Sequence, residues 1–182
     1  LGIAASAEYR FTERTWLSGT VNWRLVDNYD KFTYTAPSSL PRVRTFQREF
    51  AVSSRVTLPN LQLTHVGQWA PGHYYSVYGG LLESMYAGVG AEWLYRPWHS
   101  RVAFGGDVNR VRQRGFKQDF SLRDYEVTTG HATLYWDTGW KGVMARLSVG
   151  QYLAGDRGAT IDISRRFDNG LVIGAYATKT NV

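Results

Sequence analysis

Apolar and polar residues alternate with a period of two along almost the whole chain, and no segment shows the period of about 3.6 residues that marks an amphipathic helix. In residues 1–12 the odd positions read Leu, Ile, Ala, Ala, Tyr and Phe, whereas the even positions read Gly, Ala, Ser, Glu, Arg and Thr. Successive side chains of a β-strand point to opposite faces of its sheet. The sequence therefore predicts strands with one apolar and one polar face, repeated at 17–25, 85–96, 143–150 and 159–167.

The length of these segments, about 10 to 13 residues each, bears on where the strands lie. Strands of globular proteins usually have about 5 to 6 residues, whereas a tilted strand that crosses a bilayer needs about 9 to 11. Strand length therefore favours a sheet that spans a membrane.

The predicted connections between strands are alternately short and long. The short ones fall at 13–15, 59–60, 97–100, 138–141 and 168–170. The longer ones fall at 27–45, 70–83 and 115–123, with a brief one at 155–157. Short turns at one end and longer loops at the other are typical of outer-membrane barrels. The predicted fold is therefore all-β: an up-and-down antiparallel transmembrane β-barrel of about ten strands, whole or part of a larger or tandem barrel.

Two segments alternate less clearly than the others. Residues 46–58 are assigned to a strand. Residues 74–82 are also assigned to a strand, although they lie inside the range predicted as the loop 70–83, and their two glycines argue against a helix there.

Aromatic residues indicate which medium the apolar face meets, because alternation alone also suits a soluble barrel or sandwich. Many of them lie within a few residues of a short turn, where amphipathic rings form a girdle at a membrane–water interface. The alternative is that the rings close one end of a soluble barrel. The predicted girdle consists of Tyr9, Phe11, Trp16, Trp93, Tyr95, Trp98, Tyr135, Trp136, Trp140 and Phe167.

The polar face carries small polar residues with single charges at mid-strand, which is typical of a water-filled lumen. These charges either guide an anionic polymer by electrostatic focusing or form a ladder of cross-strand ion pairs, and the ion-pair hypothesis is preferred for most of them. The predicted lumen charges are Arg10, Arg24, Arg96, Arg146, Arg166, Glu8, Glu92, Asp107 and Asp162.

Composition narrows the function classes further. A mean hydropathy of −0.34 suggests a soluble protein, but an apolar face averaged with a polar face produces the same value. The chain has 182 residues and no cysteine, which excludes disulfides, thiolate metal sites and cysteine nucleophiles within it. The net charge of +6 is dispersed, without a nucleic-acid-binding module. The basic cluster at 109–117 is assigned to lipopolysaccharide phosphates, to an acidic glycan or to a solvated strand end.

The residues give little sign of catalysis or of a cofactor. Four histidines (His65, His73, His99 and His131) lack the spacing of metal ligands, and no phosphate-binding loop or nucleophile elbow is present. His131 lies among threonines, which leaves an outer-membrane hydrolase as a remote alternative. The expectation is a non-enzymatic protein with no cofactor and no metal.

Three long segments resemble a known family. They read HYYSVYGGLLESMYAGVGAEWLYRP at 73–97, DVNRVRQRGFKQDFSLRDYEVTTGHATLYWDTGW at 107–140 and VGQYLAGDRGATIDISRRFDNGLVIGAYATKTNV at 149–182. In these segments the chain is similar to the YjbH-type exopolysaccharide-biosynthesis proteins, whereas the first 70 residues share only the general pattern.

The resemblance implies a Gram-negative outer-membrane β-barrel protein linked to extracellular polysaccharide or capsule production. Family members are several times longer than this chain, carry a signal peptide and commonly a lipoprotein cysteine, and have more than one barrel-like region. Residues 1–182 are accordingly expected to be one outer-membrane barrel region of a longer chain. The resemblance implies no catalytic residues and leaves conduit, scaffold and export accessory open as roles.

Together these observations predict a non-enzymatic conduit or scaffold in the secretion or assembly of an extracellular polysaccharide. The predicted partners are outer-membrane lipid, lipopolysaccharide, an anionic exopolysaccharide and polysaccharide-export proteins, with no nucleic acid. Tyr74, Tyr75 and Tyr78 are the predicted glycan contacts, in the loop 70–83, although packing is the more common role of such rings. The alternative functions are a soluble carbohydrate-binding barrel or sandwich, and the barrel hydrolase.

Overall fold

A computed structural model describes residues 1–34 and 41–182 of the chain. Ten strands form one antiparallel sheet in which every strand neighbours the next along the chain. A 3-10 helix (Tyr29–Lys31) and one α-helix, α1 (Gln47–Val52), lie between the second and third strands. The strands are β1 (Gly2–Thr12), β2 (Thr15–Arg24), β3 (Val56–Ala70), β4 (His73–Leu81), β5 (Tyr86–Tyr95), β6 (Val102–Arg114), β7 (Leu122–Asp137), β8 (Val143–Gln151), β9 (Arg157–Arg166) and β10 (Val172–Thr180).

The all-β class and the antiparallel up-and-down order are confirmed. The sheet is open, with β1 and β10 at the two ends of the strand order. Within the described ranges, 1–34 and 41–182, no helix is both long and apolar enough to cross a membrane.

The count of ten strands agrees with the prediction. The predicted strand at 46–58 is mostly the helix α1 and the approach to β3. The predicted strand at 74–82 is confirmed as β4, and the loop predicted at 70–83 is wrong, because β4 follows β3 after a turn of residues 71–72. Gly72 permits this turn because its φ is +77°, and a Cβ there would lie 2.7 Å from the carbonyl oxygen of Arg96.

The predicted turn at 59–60 is also wrong, because β3 continues through Pro59 and Asn60. The β2–β3 register shifts there: Thr20 faces Asn60, whereas Asn22 faces Thr57. Two residues of β3 therefore stand opposite one residue of β2. Such a bulge accommodates a proline, which has no N–H to give to the ladder. The predicted long loop 27–45 contains the 3-10 helix, and its residues 35–40 lie outside the described part of the chain. The predicted loop 115–123 agrees with the connection between β6 and β7.

The helix α1 depends on contacts that the chain pattern does not reveal. Phe46 and Phe50 stand four residues apart, and both rings meet Phe116 edge to face at centroid distances of 5.3 and 5.2 Å. Six residues are too few for a helix to be stable in water by itself. Packing against the loop after β6 therefore stabilises α1.

The chain divides into two compact units. Unit 1 comprises Leu1–Val66, Val77–Gly90 and Arg110–Val127, and unit 2 comprises Gly67–Ser76, Ala91–Asn109 and Thr128–Val182. The buried apolar residues of the described chain all belong to unit 1: Phe50, Leu81, Tyr86, Ala87, Val111 and Val127.

In unit 2 the strand register separates an apolar from a polar face. Leu147 faces Ile161 across β8 and β9, while the neighbouring pair on the other face is Ser148 and Thr160. The apolar side chains are not packed away: Leu147 is 44% exposed and Ile161 48% exposed. Unit 2 thus presents to its surroundings the apolar face that a soluble protein buries.

Candidate functional site

The polar face of β7 to β10, in unit 2, holds the most ordered set of polar side chains outside the loops. The strand registers align one residue from each strand in a row across the sheet. One row, which we call the Tyr-Arg-Asp-Tyr row, consists of Tyr135, Arg146, Asp162 and Tyr176. The next, which we call the hydroxyl row, consists of Thr133, Ser148, Thr160 and Thr178.

The hydroxyl row is internally hydrogen-bonded. The Thr133 and Ser148 hydroxyls lie 2.9 Å apart, and those of Thr160 and Thr178 lie 2.8 Å apart. The phenol oxygen of Tyr152 lies 2.6 Å from the Thr160 hydroxyl. These bonds hold the four strands in register on this face.

In the Tyr-Arg-Asp-Tyr row, the guanidinium Nη2 of Arg146 lies 3.4 Å from Oδ2 of Asp162. Their side chains are 48% and 29% exposed, so the pair remains open to solvent. An exposed pair of this kind contributes little to stability, about 1 kcal/mol or less. The exposed N–H donors of Arg146 and oxygen acceptors of Asp162 are therefore available for hydrogen bonds to a ligand.

A second polar contact on this face joins β6 to β7. Nδ1 of His131 lies 3.3 Å from Oδ2 of Asp107, and the Tyr152 ring meets the imidazole edge to face at 4.9 Å. Nε2 of His131 is buried without a hydrogen-bond partner. The Asp107 carboxylate therefore orients the His131 imidazole. In a hydrolase the imidazole would also be hydrogen-bonded to the hydroxyl of the nucleophile, and no hydroxyl of the described residues is hydrogen-bonded to His131.

The predicted lumen charges take part in more than one kind of contact. Arg146 and Asp162 form an ion pair across neighbouring strands, whereas Glu8 and Arg10 pair within β1 at 2.8 Å. Asp107 meets His131 and not an arginine. Glu92 lies in β5, Arg166 is the last residue of β9 and Arg96 follows β5.

Arg24 was predicted as a lumen charge, and the structure gives its side chain internal partners. Its guanidinium donates to the carbonyl oxygens of Ala51 and Ser54, and its Nε lies 3.0 Å from Oδ2 of Asp27. Its role is to anchor the end of α1 and the chain after it, which sequence proximity alone does not reveal.

Two members of the predicted girdle lie on the polar face. Trp16 faces Arg10 across β1 and β2, and the Arg10 guanidinium stands 5.7 Å from its ring. Tyr135 faces Arg146. Both residues lie near a turn and therefore near the end of a strand. Side chains alternate between the two faces of a sheet, and the positions of these two residues in their strands place them on the polar face.

Unit 2 contains an aromatic stack that the prediction identified only in part. Trp69 and Tyr75 are stacked at 5.5 Å, and His73 lies against Tyr95 at 4.3 Å and Trp93 at 5.9 Å. Trp69 and His73 were missed as ring partners because the turn between β3 and β4 was not recognised. Three further predicted girdle tryptophans of unit 2 are exposed: Trp98, Trp136 and Trp140.

The remaining girdle residues are Tyr9 and Phe11 in unit 1, which meet edge to face at 5.0 Å, and Phe167, which follows β9. The Arg165 guanidinium lies 4.3 Å from the Phe167 ring.

The predicted glycan contacts do not form one platform. Tyr74, Tyr75 and Tyr78 lie in the strand β4 and not in a loop. Tyr75 stacks on Trp69, and adjacent residues of a strand point to opposite faces, so Tyr74 and Tyr75 cannot contact the same sugar ring.

The basic cluster at 109–117 is largely occupied by internal contacts in unit 1. Arg114 is completely buried, and its guanidinium donates to four backbone carbonyl oxygens at 2.7 to 3.0 Å. Arg110 pairs with Glu126, and Nη2 of Arg112 lies 3.7 Å from Asp124. The carbonyl oxygens around Arg114 belong to Leu58, Pro59, Glu83 and Asp119.

Unit 1 also holds the segment 41–52 against the sheet. The Tyr86 hydroxyl donates to the Val43 carbonyl at 3.1 Å, and Gln113 Nε2 donates to the Arg42 carbonyl at 3.0 Å. Arg44 pairs with Glu83 at 2.6 Å. The long β2–β3 connection is therefore held against β5, β6 and the β4–β5 connection over these residues.

The four histidines are placed separately. His65 Nδ1 lies 2.8 Å from the Thr15 hydroxyl, His73 belongs to the aromatic stack and His99 meets the Trp98 ring edge to face. Within residues 1–34 and 41–182, no three acidic or histidine side chains are grouped as metal ligands would be.

Comparison with known proteins gives two matches. A family model described as "Exopolysaccharide biosynthesis protein YbjH" matches residues 1–182, and so includes the first 70 residues, for which the sequence resemblance was only general. The "Uncharacterized lipoprotein YjbH" of Escherichia coli (strain K12) is 47% identical over 189 residues, covering 100% of this chain. The chain spans 27% of the length of that relative. No solved structure matches.

Proposed function

Since this chain belongs to the YjbH family of exopolysaccharide biosynthesis proteins, we propose that it forms part of an outer-membrane β-barrel through which an extracellular polysaccharide is secreted or assembled. The proposed role is that of a conduit or scaffold, without catalysis. The proposed location is the Gram-negative outer membrane. Residues 1–182 form one barrel region of the longer protein.

The observation that carries this proposal is the exposed apolar face. Leu147, Ile161 and Ile163 lie on one face of β8 and β9 and are each about half exposed. A bilayer covers such a face along the whole strand, whereas a soluble sheet leaves the polar face outside. The family relative is named a lipoprotein, which supports membrane association.

Strand length and edges agree with a membrane location. Each of the ten strands of the described chain has nine or more residues, and two have 15 and 16. Unpaired backbone groups are costly in lipid, so β1 and β10 must pair there, with each other or with strands from the rest of the protein. We propose the partners that the sequence predicts. Lipid and lipopolysaccharide contact the apolar face, and the extracellular polysaccharide and export proteins contact the polar face and the loops.

The function is tested in cells that make the polysaccharide. Cells without this protein are expected to retain the polymer in the periplasm, because the conduit across the outer membrane is missing. The measurement is the ratio of periplasmic to released polymer, together with its sugar composition and chain length. Normal release would overturn the proposal. Retention with altered composition or chain length would instead favour an enzyme.

A further inference from the structure

Two arginines of unit 1, Arg114 and Arg24, use their donors in internal contacts, and Arg146 in unit 2 differs from them. Arg114 is enclosed by carbonyl groups, and Arg24 anchors the chain after α1. Arg146 forms one long bond, at 3.4 Å, although a guanidinium carries five N–H donors. An exposed arginine with this much unused donor capacity beside a carboxylate is a recognition element for a polar ligand.

The side chains around Arg146 define what kind of ligand fits. Asp162 supplies acceptor oxygens beside the guanidinium donors, and together the two side chains carry no net charge. A pair of adjacent donors and acceptors matches the hydroxyl groups of a sugar, each of which both donates and accepts hydrogen bonds. A phosphate or a uronate would instead be repelled by the carboxylate.

Tyrosines stand at both ends of the row. Tyr135 is in register with Arg146, and Tyr176 is in register with Asp162 and is 76% exposed. Neighbouring strands lie about 4.8 Å apart, so the two tyrosines are roughly 14 Å apart across three strand spacings. Each ring combines an apolar surface with a polar tip, which suits the C–H faces and hydroxyls of a sugar. The row therefore has room for a short run of sugar residues.

We propose that the Tyr-Arg-Asp-Tyr row is a binding site for an uncharged stretch of a polysaccharide chain. The sugar hydroxyls bind the Arg146–Asp162 pair, and the tyrosine rings pack against sugars on either side. The hydroxyl row keeps the strands in register beneath the site and offers further acceptors. This inference rests on the proposed function for the identity of its ligand, and it adds the residues that hold it.

The test uses the full-length protein in detergent and oligosaccharides of about six residues, prepared by partial hydrolysis of the extracellular polysaccharide of the producing cells. Binding is measured by calorimetry. Arg146→Ala and Tyr135→Ala are each expected to weaken binding about tenfold, which corresponds to about 1.4 kcal/mol. Arg146→Lys keeps the charge but not the planar donors, and it should restore little of the affinity.

Matched controls come from the opposite face of the same strands. Leu147→Ala and Trp136→Ala remove apolar side chains next to Arg146 and Tyr135, and these variants are expected to bind like the wild type. Migration on gels before and after heating verifies that every variant is folded. Because the pair has no net charge, affinity should change little between low and high salt.

Three outcomes would overturn the inference: no binding by the wild-type protein, equal loss in the control and site variants, or binding that disappears at high salt. The last result would indicate an anionic ligand held elsewhere. None of these outcomes alters the release of polysaccharide from cells, so the failure of this site and the failure of the proposed function are distinguishable.

Discussion

Arg114 shows how one buried side chain organises several loops of unit 1. Its carbonyl partners come from the start of β3, the β4–β5 connection and the β6–β7 connection. Burial of a guanidinium without a carboxylate partner is costly unless its donors are satisfied, and here four carbonyl oxygens accept from Nη1 and Nη2, whereas Nε has no hydrogen-bond partner among the described residues. The residue therefore acts as a hub for backbone segments that are distant in sequence.

Replacement of Arg114 by Met is expected to destabilise the protein by about 3 kcal/mol or more, because four carbonyl groups lose their donors in a buried site. The measurement is the urea dependence of unfolding for the protein in detergent. Arg112→Ala is the matched control, since Arg112 is half exposed and its ion pair is long, at 3.7 Å. That control should lose about 1 kcal/mol or less. Equal losses in the two variants would contradict the hub role.

Face assignment at the residue scale follows the parity of each position along its strand. The sequence identified Arg146 and Asp162 as polar-face residues, and the register makes them neighbours. Trp16 and Tyr135 were assigned by their distance from a turn, and parity places them on the polar face instead. Nearness to a turn sets only the level of a ring and not its side of the sheet.

Among the elements, the β6–β7 connection is shaped by a local hydrogen-bonded turn. The Ser121 hydroxyl and the Ser121 backbone N–H, at 2.9 Å, both donate to Oδ1 of Asp119. These bonds favour the charged carboxylate, and they lower the pKa of Asp119 below its ordinary value. The turn is therefore tightest when Asp119 is ionised.

This coupling predicts an acid-sensitive loop. The stabilisation is present above the ordinary aspartate pKa of about 3.9 and is lost as the pH falls through the lowered value in the folded protein. Protection of the backbone amides of residues 117–121 against hydrogen exchange, relative to the intrinsic exchange rate at each pH, should be lower in acid than at pH 7, and amide exchange is the measurement.

Ser121→Ala serves as the control for the loop, because it removes the hydroxyl donor and leaves the carboxylate. In that variant, exchange of the loop amides should already be faster at neutral pH and should depend less on pH. If the variant and the wild type respond alike, the hydrogen bond to Asp119 does not tighten the turn.

The alternation pattern did not determine the helix α1 or the full extent of the strand β4. The segment of α1 was assigned to a strand and the range of β4 to both a loop and a strand, because both conformations depend on distant partners. Phe116 packs on α1, and Trp69 of β3 stacks on a ring of β4. Elsewhere, alternation over ten or more residues was sufficient, as in β1 and β9.

At the scale of the whole molecule, the proposal places one face in lipid and the other in water. Single cysteines test this, because residues 1–182 contain none of their own. In outer-membrane vesicles, a membrane-impermeant maleimide is expected to modify Ser148→Cys and Ser164→Cys but not Leu147→Cys and Ile163→Cys. The matched positions are adjacent in the chain, and their side chains lie on opposite faces.

Modification of the same variants after denaturation in urea gives the total reactivity of each thiol, which is the reference for modification in vesicles. Equal modification of Leu147→Cys and Ser148→Cys in vesicles would show that water reaches both faces, and a soluble carbohydrate-binding sheet would then be the better account. A carbonate wash shows whether lipid or a soluble partner protein covers the apolar face. Retention of the protein in the membrane pellet after the wash indicates lipid.

The chain's own pattern was enough to establish an all-β fold, the antiparallel order and the two unlike faces, because alternation is a local property that each strand carries in its own residues. Register, the helix α1 and the burial of Arg114 depend on contacts between residues far apart in the chain, and their energies appear only when the strands are paired. The Tyr-Arg-Asp-Tyr row illustrates both: the sequence supplied its side chains and their face, and strand pairing brought them into one line.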